Sequence, residues 1–119
     1  MKTGPTNQHL QQLIAHLRIE SKKSDAPLWK RIADDLERST RARRAVNLSR
    51  IERNCQAHET IIVPGKVLGA GQLTQALTVA AWQFSTNAKT QIERAKGKAI
   101  SIHELVKQNP GGKNVRIIG

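Results

Sequence analysis

Apolar residues follow helical spacing near both ends of the chain and crowd together in its middle. Leu10, Leu13, Ile14 and Leu17 fall at i, i+3, i+4 and i+7, which predicts an amphipathic helix of about three turns. Residues 21–25 form a polar break that contains Lys22 and Lys23. Pro27 suits the first turn of a second helix, where its missing N–H is not needed. Leu28, Trp29, Ile32, Ala33 and Leu36 give that helix an apolar face. On its outer face Lys30 precedes Asp34, and Arg31 precedes Asp35, by four residues. Each such pair adds only about 0.2–0.5 kcal/mol.

The pattern then changes. Residues 38–45 have no apolar periodicity and read as a solvated loop whose charge and polarity leave its shape to a binding partner. Asn47 is placed to cap a short helix on which Arg50 and Arg53 share a face. Residues 60–63, 66–68 and 77–84 have strand texture, and the last run is apolar on both faces, as in a central strand covered on two sides. Asn87 is expected to open a further helix through Ala88, Ile92 and Ala95. Ser101 and Glu104 form a Ser-x-x-Glu capping box ahead of Ile102, Leu105 and Val106. Asn109-Pro110-Gly111-Gly112 stops that helix, and residues 115–118 read as a last strand. The expected class is α/β: N-terminal helices, then a small mixed sheet with helices. The chain has the length of one domain, residues 1–119, with helices and a basic loop over 1–45 and an α/β core over 46–119.

Charge sharpens this picture. The chain carries a net charge of +11, which costs stability through self-repulsion unless a polyanion accepts it. Six of the twenty Lys/Arg lie within residues 38–53, as Arg38, Arg41, Arg43, Arg44, Arg50 and Arg53, with Glu52 the only acid there. Residues 54–88 carry just Glu59 and Lys66. Arginine's planar fork donates to phosphate oxygens in pairs, so this block is the first candidate for polyanion contact. Lys89, Arg94, Lys96 and Lys98 form a second cluster, and Gly97 within it would admit a phosphate close to the backbone. Lys22, Lys23, Lys113 and Arg116 complete the candidate set, with Lys66 beside the glycines of the middle stretch.

Other chemistries find little support. Trp29, Trp82 and Phe84 are the only aromatics apart from histidine, which argues against readers that stack splayed bases on aromatic platforms. The single cysteine excludes an internal disulfide and fits a reducing cytosolic setting. The first ten residues lack the apolar core of a signal peptide, and no run approaches the roughly 18 apolar residues of a spanning helix. A basic membrane-surface helix would set its cations against a bulky apolar stripe, which residues 38–45 lack.

Gly65-Lys66 is not a Walker loop, because Thr60 stands where the first glycine belongs. Gly69-Ala70-Gly71 fails the dinucleotide fingerprint at Thr74. These glycines are expected to turn the chain tightly between strands, leaving Lys66 free to meet an anion. Cys55 and His58 have half-site spacing for zinc but no second pair, and His103-Glu104 lacks the second histidine of a zincin because position 107 is lysine. Most acids have cations three or four residues away or serve a cap, so no carboxylate pair stands out for catalysis. The residues therefore nominate no catalytic group, metal or cofactor.

Two ordered blocks carry a resemblance. Val46-Asn47-Leu48-Ser49-Arg50-Ile51-Glu52-Arg53, followed by Ile61-Ile62-Val63-Pro64-Gly65-Lys66-Val67-Leu68-Gly69, closely resembles the archaeal large-subunit ribosomal protein L-eighteen-e. That family is related to eukaryotic cytosolic counterparts and to the C-terminal part of bacterial L-fifteen. The likeness continues through Thr78-Val79-Ala80-Ala81, Phe84-Ser85, Ala88, Ile92, Gly97, Ser101, Asn109-Pro110 and Val115-Arg116, covering essentially the whole chain. Cys55 departs from it, standing where a larger aromatic or aliphatic residue is expected.

The resemblance implies a non-catalytic, cytoplasmic component of the large ribosomal subunit that binds large-subunit rRNA beside neighbouring ribosomal proteins. It implies no membrane and no small-molecule substrate. It also implies β-β-α turns that form a short irregular superhelix after the N-terminal helices. Arg50, Arg53 and Lys66 match the family's basic pattern, with Arg41 and Arg44 in the equivalent loop. The main rival is a nucleoid-associated DNA-binding protein, which would bind duplex DNA about as well as rRNA. An RNA-processing enzyme would turn over an RNA substrate, and a membrane-surface protein would prefer anionic vesicles.

Overall fold

In a computed structural model, which describes residues 8–37 and 44–118, helices cover both faces of one parallel sheet. The order is α1 (Gln8–Lys23), α2 (Pro27–Glu37), β1 (Arg44–Asn47), α3 (Leu48–Asn54), β2 (Thr60–Leu68), β3 (Thr78–Phe84), α4 (Thr86–Arg94), β4 (Lys98–Ser101), α5 (Ile102–Gln108) and β5 (Val115–Ile117). The described part of the sheet runs β1-β2-β3-β4, with β5 also on β2. β2 divides one edge between two partners: its first residues pair with β5 and its last with β1. The sheet was expected to be mixed; every pairing among the described residues is parallel.

The strand pleat sorts side chains into two cores. Ile62 and Ala80 face α1, α2 and α5, where they meet Leu10, Leu17, Trp29, Leu36 and Leu105. Ile61, Val63, Val79 and Ala81 face α3 and α4, where they meet Leu48, Ile51, Ala88 and Ile92. This two-sided burial is why residues 77–84 are apolar on both faces. Trp29 is fully buried, and its indole N–H donates to the Pro110 carbonyl at 2.8 Å, tying α2 to the turn after α5. Arg18 joins α1 to α2 by donating to Asp34 at 3.1 Å and to Glu37 at 2.5 Å. The Arg18 guanidinium holds both carboxyls below their usual range. Among the described residues no helix is long and apolar enough to cross a membrane.

Several elements depart from the sequence expectation. α1 runs on through Ser21, Lys22 and Lys23, so the polar break shrinks to a short turn in which Asp25 takes φ +53°. The two runs at 60–63 and 66–68 are one strand, in which the register slips between Val63 and Lys66. Pro64 has no N–H to give a ladder, so a slip at that point accommodates it. Arg44 and Ala45, expected in the loop, belong to strand β1; residues 38–43 lie outside the described residues. β4 was not expected at all. It is four residues long with only Ile100 buried, too short for a readable alternation.

Candidate nucleic-acid interface

The charge divides with the layers. Helices α1, α2 and α5, with the turn between α1 and α2, carry six Lys/Arg and six acids. Residues 44–118 as a whole carry eleven Lys/Arg and four acids, net +7. Most of that excess sits on α3, on α4 with the turn after it, and on the strand ends.

α3 shows how the sequence aims its arginines. Leu48 and Ile51 are buried three residues apart, which turns Arg50 and Arg53 outward. Asn47 stands at the N-cap as expected, but its side chain makes no capping bond. An N-terminal amide is satisfied across space instead, where Ser49 N–H donates to the Ala70 carbonyl at 3.1 Å. Glu52 is already engaged. It accepts from the Thr74 hydroxyl at 2.5 Å and the Thr74 amide at 3.0 Å, and these bonds hold its carboxyl below the usual range. Among the described residues Arg50 and Arg53 therefore form no ion pair with an acid.

The β2–β3 connection over residues 69–77 is fastened to both helices of this layer. Gln91 donates to the Gly69 carbonyl at 2.8 Å, and Gln75 donates to the Cys55 carbonyl at 2.9 Å. Gly71 has φ +91°, and a Cβ on it would lie 2.6 Å from Ser49 Cβ, so a glycine is required there. α3, this connection and α4 thus form one fixed surface.

α4 begins earlier than Asn87 suggested. Ser85 is the cap, its hydroxyl accepting from Ala88 N–H at 3.1 Å. Ala88 and Ile92 face the core, while Lys89 and Arg94 are exposed. The helix closes with Lys96 N–H on the Glu93 carbonyl and Gly97 N–H on the Ile92 carbonyl, the Schellman arrangement. Lys96, with φ +66°, fills the left-handed position that usually takes glycine. Packing alone requires the glycine at position 97. A Cβ there would collide with the Leu77 carbonyl oxygen and lie 2.9 Å from Leu77 N. Its bare backbone is needed for this internal packing. Lys98 then opens β4 with its amide on the Leu77 carbonyl at 2.8 Å.

The remaining candidates scatter. Lys66 is exposed although β2 is central, because it lies beyond the register slip, opposite Ala45 and Gln83. The backbone of Arg44 lies in β1, while Arg38, Arg41 and Arg43 lie outside the described residues. Lys22 and Lys23 end α1, in the charge-balanced layer. Lys113 is exposed in a turn closed by Asn109, whose Oδ1 accepts from Lys113 N–H at 3.3 Å. Arg116 is held: its Nε and Nη2 donate to Glu59 Oε2 at 3.1 and 3.0 Å. Arg50 and Arg116 nonetheless meet, lining one depression with Asn54, Ile117 and Ile118. Sequence reasoning missed both this meeting and the Glu59 pairing, which spans 57 residues and leaves no local signal.

Cys55 is buried in the α3/α4 core, and desolvation raises its thiol above the ordinary range. His58 is exposed on a turn with φ +68°. Among the described residues no three His, Cys, Asp or Glu are grouped to share a metal ion.

The class defined by these features is a small three-layer α/β protein with a balanced helical layer on one face and a cation-rich one on the other. The chain belongs to the family described as ribosomal protein 60S L18 and 50S L18e, whose model matches residues 2–119. It is 48% identical over 117 residues to the large ribosomal subunit protein eL18 of Halobacterium salinarum, covering 98% of this chain and 97% of that protein. The protein of the same name from Methanothermobacter thermautotrophicus is 45% identical over 117 residues, at the same coverages. That of Methanopyrus kandleri is 44% identical over 121 residues, covering 98% and 95%.

Proposed function

We propose that this chain is a cytoplasmic, non-catalytic constituent of the large ribosomal subunit that binds and stabilises large-subunit rRNA. Membership of the L18 and L18e family supports the structural ribosomal role. The observation that carries the RNA reading is that the only acid among the arginines of residues 38–53, Glu52, is bound to Thr74. Arg50 and Arg53 are thus left for an external anion. In this reading Arg/Lys–phosphate contacts form along α3, α4, the Lys96–Lys98 turn, Lys66 and the basic segment that leads into β1. Neighbouring ribosomal proteins border it, and no membrane or small substrate is involved.

The mechanism is counterion release where RNA segments converge. If about six to ten phosphates are contacted, affinity falls about 10³–10⁵-fold between 50 and 200 mM salt. Crosslinking in cell extract, gradient fractionation and mapping of the attached RNA provide the test. The chain is expected with the large subunit, and its spreading along DNA would overturn the reading. Replacing Arg41, Arg43 and Arg44 together with Ala is expected to weaken rRNA binding and flatten the salt slope. An unchanged slope removes that segment from the contact surface.

A further inference from the structure

We propose that the outer face of α1 docks a helix of a neighbouring large-subunit protein, one whose apolar seam ends in acidic residues. This rests on the large-subunit role above and assigns a partner to the layer that the rRNA reading leaves unused.

α1 meets the core through Leu10, Leu13, Ile14 and Leu17. Gln8, Gln12, Ala15 and Ile19 are exposed on the side away from them. Their spacing of four, three and four residues is that of a helix–helix seam, which here runs about 16 Å along the axis. Ile19 is 65% exposed and is the one exposed large hydrophobic among the described residues. A lone surface isoleucine needs no partner, but this one closes a seam without charge. From Gln8 to Ile19 the only Lys, Arg, Asp or Glu is Arg18, which is held by Asp34 and Glu37. Across the whole chain 24% of residues are charged, so the uncharged run stands apart.

That lack of charge decides the kind of partner. RNA binding draws on cations that neutralise phosphates, and the seam offers none from Gln8 to Ile19. A phosphate backbone seated there would lose water without gaining a donor of like strength. A second copy of the chain is disfavoured as well, because each carries +11. A different protein meets neither obstacle. Its helix buries apolar side chains on Ala15 and Ile19, and the small Ala15 lets the two axes approach. Gln8 and Gln12 hydrogen-bond to polar side chains of the partner and fix the register. Ala15 also borders a depression of about 380 Å³ with Gln11, Ile14, Arg18 and Glu37, which has room for an inserted side chain.

The end of the seam sets the charge of the partner. Lys22 continues the spacing three residues after Ile19, and Lys23 lies beside it. Both are exposed, and neither forms an ion pair among the described residues. Glu20, the one acid on α1, accepts from the Ser24 hydroxyl. Acidic residues at the matching end of the partner helix complete these two lysines.

The test places a photoreactive amino acid at position 12, and separately at position 89 on α4, in the full chain carried by assembled large subunits. Irradiation at position 12 is expected to attach one large-subunit protein through a helical segment that contains acidic residues, in an adduct that survives ribonuclease. Irradiation at position 89 is expected to attach rRNA. Ile19→Glu, and Lys22→Glu combined with Lys23→Glu, are each expected to remove most of the position-12 adduct and to leave the position-89 adduct unchanged. These side chains are exposed, so the fold is kept, and entry into the subunit reports it. An adduct of position 12 with rRNA or with a second copy would overturn the docking face. So would no adduct there, a captured segment without acids, or an adduct undiminished in either variant. With rRNA still attached at position 89, the rRNA reading survives that failure. A chain absent from the large subunit sinks both.

Discussion

The two helical layers pack on the same sheet with cores of similar character, yet they treat charge in opposite ways. In the layer of α1, α2 and α5, Arg18 is consumed by Asp34 and Glu37, Lys30 also reaches Asp34, and cations and acids balance. In the layer of α3 and α4, Glu52 is turned away to Thr74, and among the described residues Arg50 and Arg53 have no acid partner. Self-compensation suits a layer that holds a fold together. Withheld compensation suits a layer that completes its electrostatics on a partner. Both arrangements use surface ion pairs or none, so neither accounts for much stability; burial does that for both.

The largest expected effect tests whether the balanced layer is the structural one. Trp29→Ala removes the largest buried side chain and its bond to Pro110, and is expected to cost about 3–5 kcal/mol in denaturant unfolding. A cost below about 1 kcal/mol would mean that α2 is not integral to the core.

A smaller effect separates stability from binding in the other layer. Lys96→Gly relieves a left-handed lysine and should raise stability by about 0.5–1 kcal/mol while lowering rRNA affinity. Stabilisation with unchanged affinity would show that Lys96 is tolerated there rather than used.

The smallest concerns acid pH. His16 and His103 join α1 to α5 with ring centroids 5.2 Å apart. Burial, then His16, then Lys107 depress His103 below its usual value of 6.5. A depressed histidine is neutral when folded, so its contribution is present above pH 6.5 and is lost as pH falls through the lower folded value. His103→Gln should flatten the stability profile over that window, and an unaltered profile would assign the dependence to other groups.

How much could be read without coordinates depended on range. The spacing Leu10, Leu13, Ile14, Leu17, the proline at the start of α2 and the Ser101 cap are local signals, and each marked its element. Ser101 Oγ does accept from Glu104 N–H at 3.1 Å. β1 and β4, four residues each, offered no period to read. Pro64-Gly65 suggested a break where tertiary pairing on both sides carries the strand through. At the candidate site the arginines of α3 and the α4 cluster were legible as unbalanced charge. Their surroundings were not, because Glu52–Thr74 and Glu59–Arg116 join residues 22 and 57 positions apart.

By itself the sequence determined that one stretch would be short of acids, and that two N-terminal helices would be followed by a mixture of strands and helices. Composition and periodicity are properties of neighbours along a chain. Only the tertiary structure decided which acids neutralise which cations, that Gly97 is needed for packing against Leu77, and that Arg50 and Arg116 line one depression. Those outcomes depend on distances between segments, which the parallel sheet sets when it packs α3 and the connection over residues 69–77 on one face and pairs β5 with β2 at its edge.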